Sequence, residues 1–170
     1  LLPGDGRSAT IEIWATQNAI QDWSRIWDVG TDEGTDSIGE MYAAWTSFST
    51  LNAAPVCIRN VSVDKGNLAP YSLGVEYHIA AVFEPQDDGT WQVKFYKQDA
   101  KTGATSASYT ISTSSSSSWS LSNQAQGSFF LGHGHHTDSC DASASYNEVR
   151  VWNRALTEAE LAANVLLGPD

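Results

Sequence analysis

The stretch Asn147–Asn164, NEVRVWNRALTEAELAAN, changes character near its middle. Its first half, NEVRVWN, mixes β-branched and aromatic residues and reads as a strand of sheet core. The second half carries a helix start. Thr157 is placed to cap, Glu160 three residues on is placed to complete a capping box, and Leu156 and Leu161 stand where a hydrophobic staple puts its apolar pair. A helix this short is not stable alone in water, so it is expected to lie against a sheet as a lid.

Upstream, strand signals dominate. ATIEIWAT alternates Ile11 and Ile13 on one face with Glu12 and Trp14 on the other, and SRIWDVG alternates likewise before stopping at Gly30. EMYAAWTSF, VCIRNVSV, EYHIAAVFE, WQVKFYKQD, ASYTIS and SFFLG follow, each bounded by turn residues. In EPQDDGTW, Pro85 and Asp87-Asp88-Gly89 supply the turn of a hairpin. About nine strands against one helix predict an all-β fold rather than an alternating α/β plan.

The 170 residues make one domain, long enough to bury a core without metal or disulfide staples. With 20 acidic and 9 basic residues the net charge is -11, which argues against nucleic acid and anionic membrane as partners and suits cations and neutral ligands such as sugars. No run has the length and apolarity of a membrane span, and the start Leu1-Leu2-Pro3 is not a signal peptide, so the chain is expected to be a piece of a larger protein. Scarce lysine, abundant Ser, Thr, Asn and Trp, and an even cysteine count point to an extracellular or cell-surface setting. Cys57 and Cys140 are either a disulfide or two separate buried thiols.

NEVRVWNRALTEAELAAN resembles the C-terminal signature of laminin G-like, concanavalin A-like jelly-roll domains, in which a last core strand leads into a capped helical turn. SATIEIWAT is similar to the family's early strand, VEYHIAAVFE with DGTWQVKFYKQ to its central hairpin, and GSFFLGHG to its penultimate strand. The resemblance covers Thr10 to Val165. It implies a two-sheet antiparallel β-sandwich with one short C-terminal helix, and it places His78 where the family's strand carries a structural histidine. The family usually opens with an aspartate- and glycine-rich turn, where this chain has only LLPGDGR; TGATSASYTISTSSSSSWSLSNQAQG is longer and richer in serine than a plain hairpin and is expected to form a loose excursion.

Retaining glucanases share this superfamily fold and set their acids on alternate positions of one strand. IEIWAT, GVEYH and NEVRVWN each offer one acid, and no nucleophile elbow, zinc-protease pair or phosphate loop occurs, so catalysis is not expected. The expected function is non-catalytic carbohydrate binding, lectin-like, with a glycan or polysaccharide and the other domains of a parent protein as partners; a protein-interaction or spacer domain is the alternative, and a glucanase-like hydrolase a weaker one.

Two loops and two tryptophans are the candidate site. GHGHHTDSCDAS gathers His133, His135, His136, Asp138, Cys140 and Asp141, residue types that either ligate zinc, copper or nickel or hydrogen-bond a sugar, the bland reading being a solvated polar loop. WDVGTDEGTDSIG carries Asp28, Asp32, Glu33 and Asp36, oxygen ligands that suit calcium, and the resemblance implies calcium on such a rim; acidic turn residues also occur for backbone reasons alone. Trp45 and Trp119 sit in or beside loops, and Trp119, after the serine run, is the expected exposed platform for a pyranose face, with plugging a sandwich end as the competing role. Trp45, Trp119, His133, His135 and Asp138 are thus the candidate ligand contacts, and Asp28, Asp32 and Asp36 the candidate calcium ligands. Arg150 and Glu148 are expected to pair with neighbours.

Overall fold

The computed structural model describes residues 2, 5–30, 41–47, 54–58, 66–114, 119–124, 127–137, 139 and 141–169. The period-2 runs form two antiparallel five-stranded sheets. The first has the order β10-β1-β6-β7-β8, with β10 Ala144–Trp152, β1 Ala9–Gln17, β6 Glu76–Pro85, β7 Trp91–Asp99 and β8 Thr105–Ser112. The second has the order β5-β4-β3-β2-β9, with β5 Gly66–Leu68, β4 Ala54–Ile58, β3 Met41–Ala44, β2 Arg25–Gly30 and β9 Ser128–Leu131. A four-residue helix α1, Leu121–Gln124, and the capped helix α2, Glu158–Leu167, complete the described elements. The all-β sandwich read from the sequence is the observed fold.

Alternation sends Ile11, Ile13, Val93 and Phe95 of the first sheet against Trp27, Val29, Met41 and Val56 of the second, all fully or nearly fully buried. Trp27 stacks on Phe95 at 6.1 Å and on Phe129 at 6.4 Å, tying β2 to β7 across the sandwich and to its neighbour β9. In the β6–β7 hairpin Gly89 takes φ 82°, and Asp88 Oδ1 accepts from the Thr90 backbone N–H at 3.0 Å.

Helix α2 forms as its start signal predicts. The Thr157 side chain accepts from the Glu160 N–H, and the Glu160 carboxylate accepts from the Thr157 N–H at 2.8 Å. Leu156 and Leu161 bury together against Ala80, Val82 and Tyr96, so the helix lies on the outer face of the first sheet. Beneath it Glu12 and His78, both with no exposed side-chain surface, bond at 2.9 Å, and Gln98 bonds the other ring nitrogen at 2.7 Å. His78 is therefore a satisfied structural residue. Arg150 pairs with Glu148 at 2.7 Å, as expected.

The structure adds one strand to those read from the sequence. Strand β5 is absent from the sequence-based strands because Gly66 and Asn67 carry no β propensity; it exists by pairing with β4. The ASYTIS strand read from the sequence forms within β8, which pairs with β7 from Gln98↔Thr105 to Gln92↔Ser112 with a register shift between Lys97 and Gln98, and Ile111 is buried in the core.

A Cβ added to Gly66 would meet the Tyr109 ring of β8 at 2.0 Å, so Gly66→Ala overpacks the seam between the sheets. We expect a loss of about 1–3 kcal/mol in urea unfolding, and little added loss when Gly66→Ala is made in a Tyr109→Ala background. Glu160 is held at a pKa of about 2, below its ordinary 4.5, by Arg154 first and then by the Thr157 backbone and hydroxyl. A depressed acid stabilises above its unfolded value, so this contribution is complete above about pH 4.5 and is lost as pH falls toward 2. Thermal midpoints measured from pH 2 to 6 are expected to show a shallower acid limb in Glu160→Gln than in the unaltered chain.

Candidate functional site

The outer face of the second sheet is organised by one irregularity. Arg25 and Asp28 are three apart and would point to opposite faces of a regular strand, but the β2–β3 register shifts between Arg25 and Trp27. The extra residue turns Arg25 onto the face of Asp28. There its Nε donates to Asp28 Oδ2 at 3.1 Å, with the side chains 3% and 0% exposed, and its guanidinium lies 3.8 Å from the centre of the Tyr42 ring. The Ile26 carbonyl at the irregularity accepts from Tyr146 Oη of β10 at 2.8 Å and from the Gly132 N–H at 3.2 Å. Burial pushes the Tyr146 phenol up to about 12, so it stays a donor at neutral pH.

Ladder pairing sets a row across this face: Phe130 opposite Asp28, Asp28 opposite Tyr42, Tyr42 opposite Cys57. The turn after β9 folds back over it. His135 Nδ1 donates to Asp28 Oδ1 at 2.8 Å and its backbone N–H to Oδ2 at 3.3 Å. The imidazole stacks on Phe130 at 4.3 Å and sits over Gly30, where a Cβ would come within 3.2 Å of the ring. Because Asp28 accepts from Nδ1, the neutral ring is fixed in the Nδ1–H tautomer and Nε2 holds the lone pair. That Nε2 is buried and makes no hydrogen bond. Next to it His133 pairs with Asp141 at 2.6 Å, both well exposed, and meets the Phe130 ring edge-on at 5.2 Å.

The arrangement offers an aromatic ring, the exposed His133 imidazole and an exposed carboxylate, while His135, its side chain 1% exposed, belongs with Asp28 and Arg25 to the buried support. Such a surface suits apolar C–H faces and hydroxyl groups of one ligand. Of the sequence candidates, the structure brings His133, His135 and Asp28 together here. It corrects the role of Asp28: both its oxygens accept from Arg25 and His135, so it braces the face and does not look outward to an ion. Asp32, Asp36, Asp138 and Cys140 lie outside the described residues. Among the described residues no three His, Cys, Asp or Glu side chains form a metal-holding group.

Both tryptophans are corrected as well. Trp45 is 1% exposed and meets Tyr71 edge-on at 4.9 Å, and Trp119 is 6% exposed against Trp91 at 5.6 Å. They plug opposite ends of the sandwich, where burying a large ring outweighs any benefit of displaying it. Sequence reasoning missed Arg25, Tyr42 and Phe130. Alternation in SFFLG would have turned one phenylalanine outward and flagged Phe130; nothing in SRIWDVG announces the bulge that moves Arg25.

No family model matches the chain, and no curated protein matches it. Solved structures do. The CBM40 module of the Ruminococcus gnavus IT-sialidase, bound to alpha2,3 sialyllactose, superposes with TM-score 0.68 at 13% identity, covering 94% of this chain and 83% of that one. The likeness is one of fold. A Trypanosoma rangeli sialidase in complex with the inhibitor DANA matches with TM-score 0.55 at 12% identity, and tailspike protein 2 of an Escherichia coli bacteriophage with 0.58 at 14%. This chain, covered to 96% and 98%, spans 23% and 22% of those two.

Removing the Asp28 carboxylate takes the acceptor from the buried Arg25 Nε–H and from the buried His135 Nδ1–H. Asp28→Ala is expected to cost about 3–5 kcal/mol in urea unfolding, and Asp28→Asn, which keeps one acceptor oxygen, distinctly less.

Proposed function

We propose that this chain is a non-catalytic carbohydrate-binding module, a single jelly-roll domain of the laminin G-like, concanavalin A-like kind, within a larger extracellular or cell-surface protein. The glycan lies across the β2–β9 edge, its C–H face on Phe130 and its hydroxyls on His133 and Asp141. The observation that carries this reading is the stacked Phe130–His135 pair flanked by the exposed His133–Asp141 pair, a mixed aromatic and polar surface held rigid from below by Asp28. Rigid support matters because a shallow site gains affinity only when little ordering is left to do on binding. Support also comes from the similar CBM40 structures, whose ligands are alpha2,3 and alpha2,6 sialyllactose. Among the described residues no helix is long and apolar enough to cross a membrane.

A protein-interaction or spacer role is the second reading. It is favoured by Leu131, 40% exposed on the edge strand β9 and turned to the opposite side of that strand from Phe130, an apolar side chain that the glycan reading leaves unused.

Affinity electrophoresis and calorimetry against sialyllactose and neutral polysaccharides test the proposal. Phe130→Ala and His133→Ala are expected to weaken glycan binding at least about tenfold, near 1.4 kcal/mol, with an unchanged thermal midpoint for His133→Ala. If the unaltered chain binds no glycan in either assay, the interaction-domain reading replaces this one.

A further inference from the structure

Helix α2 covers only part of the outer face of the first sheet. It lies over β6 and β7 through Ala80, Val82 and Tyr96, and stops short of the edge strand β8. Between its first turn and that strand runs a trough of about 450 Å³, within the size range of small-ligand sites. Alternation along β8 buries Ile111 and packs Ala107 and Tyr109 against the core, which turns Ser108 and Thr110 outward into the trough. Both are exposed, and neither hydroxyl hydrogen-bonds another described residue. Ladder register sets Thr110 beside Lys94 and Ser108 beside Tyr96.

The charged groups of this surface are two acids, Glu84 and Glu158, and one base, Lys94. Lys94 pairs with Glu84 at 2.7 Å, each about one third exposed, and Tyr96 Oη donates to Glu158 at 3.3 Å. What remains is a row of hydroxyls, each donor and acceptor at once, bordered by polar groups whose second lone pairs and N–H groups are free to bond again. An anion finds no uncommitted cation here, and the chain's net charge of -11 opposes it further.

We propose that the β8–α2 trough is a second carbohydrate subsite, selective for neutral oligosaccharide, with Ser108, Thr110 and Lys94 as hydrogen-bonding contacts and Glu158 on the helix wall. It lies on the sheet opposite the Phe130 edge and does not depend on that edge binding anything.

The full chain, isotopically labelled, is titrated with cellohexaose, xylohexaose and mannohexaose and, separately, with alpha2,3 sialyllactose, while backbone amide shifts are followed. At least one neutral hexaose is expected to move the amides of Lys94, Ser108, Thr110 and Glu158, with affinity falling about tenfold or more in Ser108→Ala/Thr110→Val and staying intact in Phe130→Ala. Sialyllactose is expected to leave these amides still. The substituted side chains are exposed, and an unchanged thermal midpoint and amide spectrum away from the trough certify the fold of the double variant. Absence of trough shifts with all three hexaoses at millimolar concentration overturns the proposal, as do shifts confined to β9 that vanish in Phe130→Ala. Loss of binding at the Phe130 edge with the trough shifts retained overturns only the reading of the edge.

Discussion

Glu12 is an acid at the centre of a sheet, with no exposed surface, and four elements meet on it. From β1 its carboxylate accepts from His78 of β6, from the indole N–H of Trp152 on β10, and from Asn164 of α2 at 3.0 and 3.1 Å. A carboxylate withdrawn from water is tolerated only where hydrogen bonds replace hydration, and here three side chains do so. The same arrangement explains why α2 docks where it does. Leu156, Leu161 and Val165 supply apolar contact, which has little directional preference, whereas the Asn164 donors fix the helix over one position of β1.

Asp28 is the counterpart on the other sheet. Both acids point outward from interior strands of their sheets, positions that period-2 alternation normally gives to solvent, and both are covered by a segment that arrives late in the chain. Glu12 receives α2, and Asp28 receives the turn at His135. The consequences differ because the covering segments differ. The helix seals the Glu12 face with apolar side chains, while the turn covers Asp28 with an imidazole whose far nitrogen is unpaired and whose neighbours His133 and Asp141 remain exposed. One face is sealed, and the other keeps an imidazole and a carboxylate at the surface.

The sequence made the strands, the hairpin turn and the capping box readable because each depends on local chemistry: alternation, the conformational freedom of Gly89, and the three-residue spacing of Thr157 and Glu160. Strand β5 and the bulge at Arg25 were not readable, since pairing partners decide them and the partners are distant in sequence. The site shows the same division. The histidine turn stood out by composition, whereas Arg25, Tyr42 and Phe130 join it only through register. Trp45 and Trp119 were read from loop position, and loop position does not report exposure when a sandwich end needs a large ring to close it.

That closure constrains where any ligand goes. At one end Trp45, Tyr71 and Tyr77 interlock edge-on, and the Lys97 amine, its pKa lowered by burial, lies 4.7 and 4.5 Å from the two tyrosine ring centres while donating to the Ala69 carbonyl at 3.1 Å. At the other end Trp91 and Trp119 meet edge-on. Rings committed to each other and to the core are not available for stacking on a sugar without unfolding the end they close. Both proposed sites therefore lie on the flanks of the described part of this sandwich: the edge where Phe130 meets the histidine turn, and the hydroxyls of β8 beside α2. Both are places where alternation turns a side chain outward and no segment covers it completely.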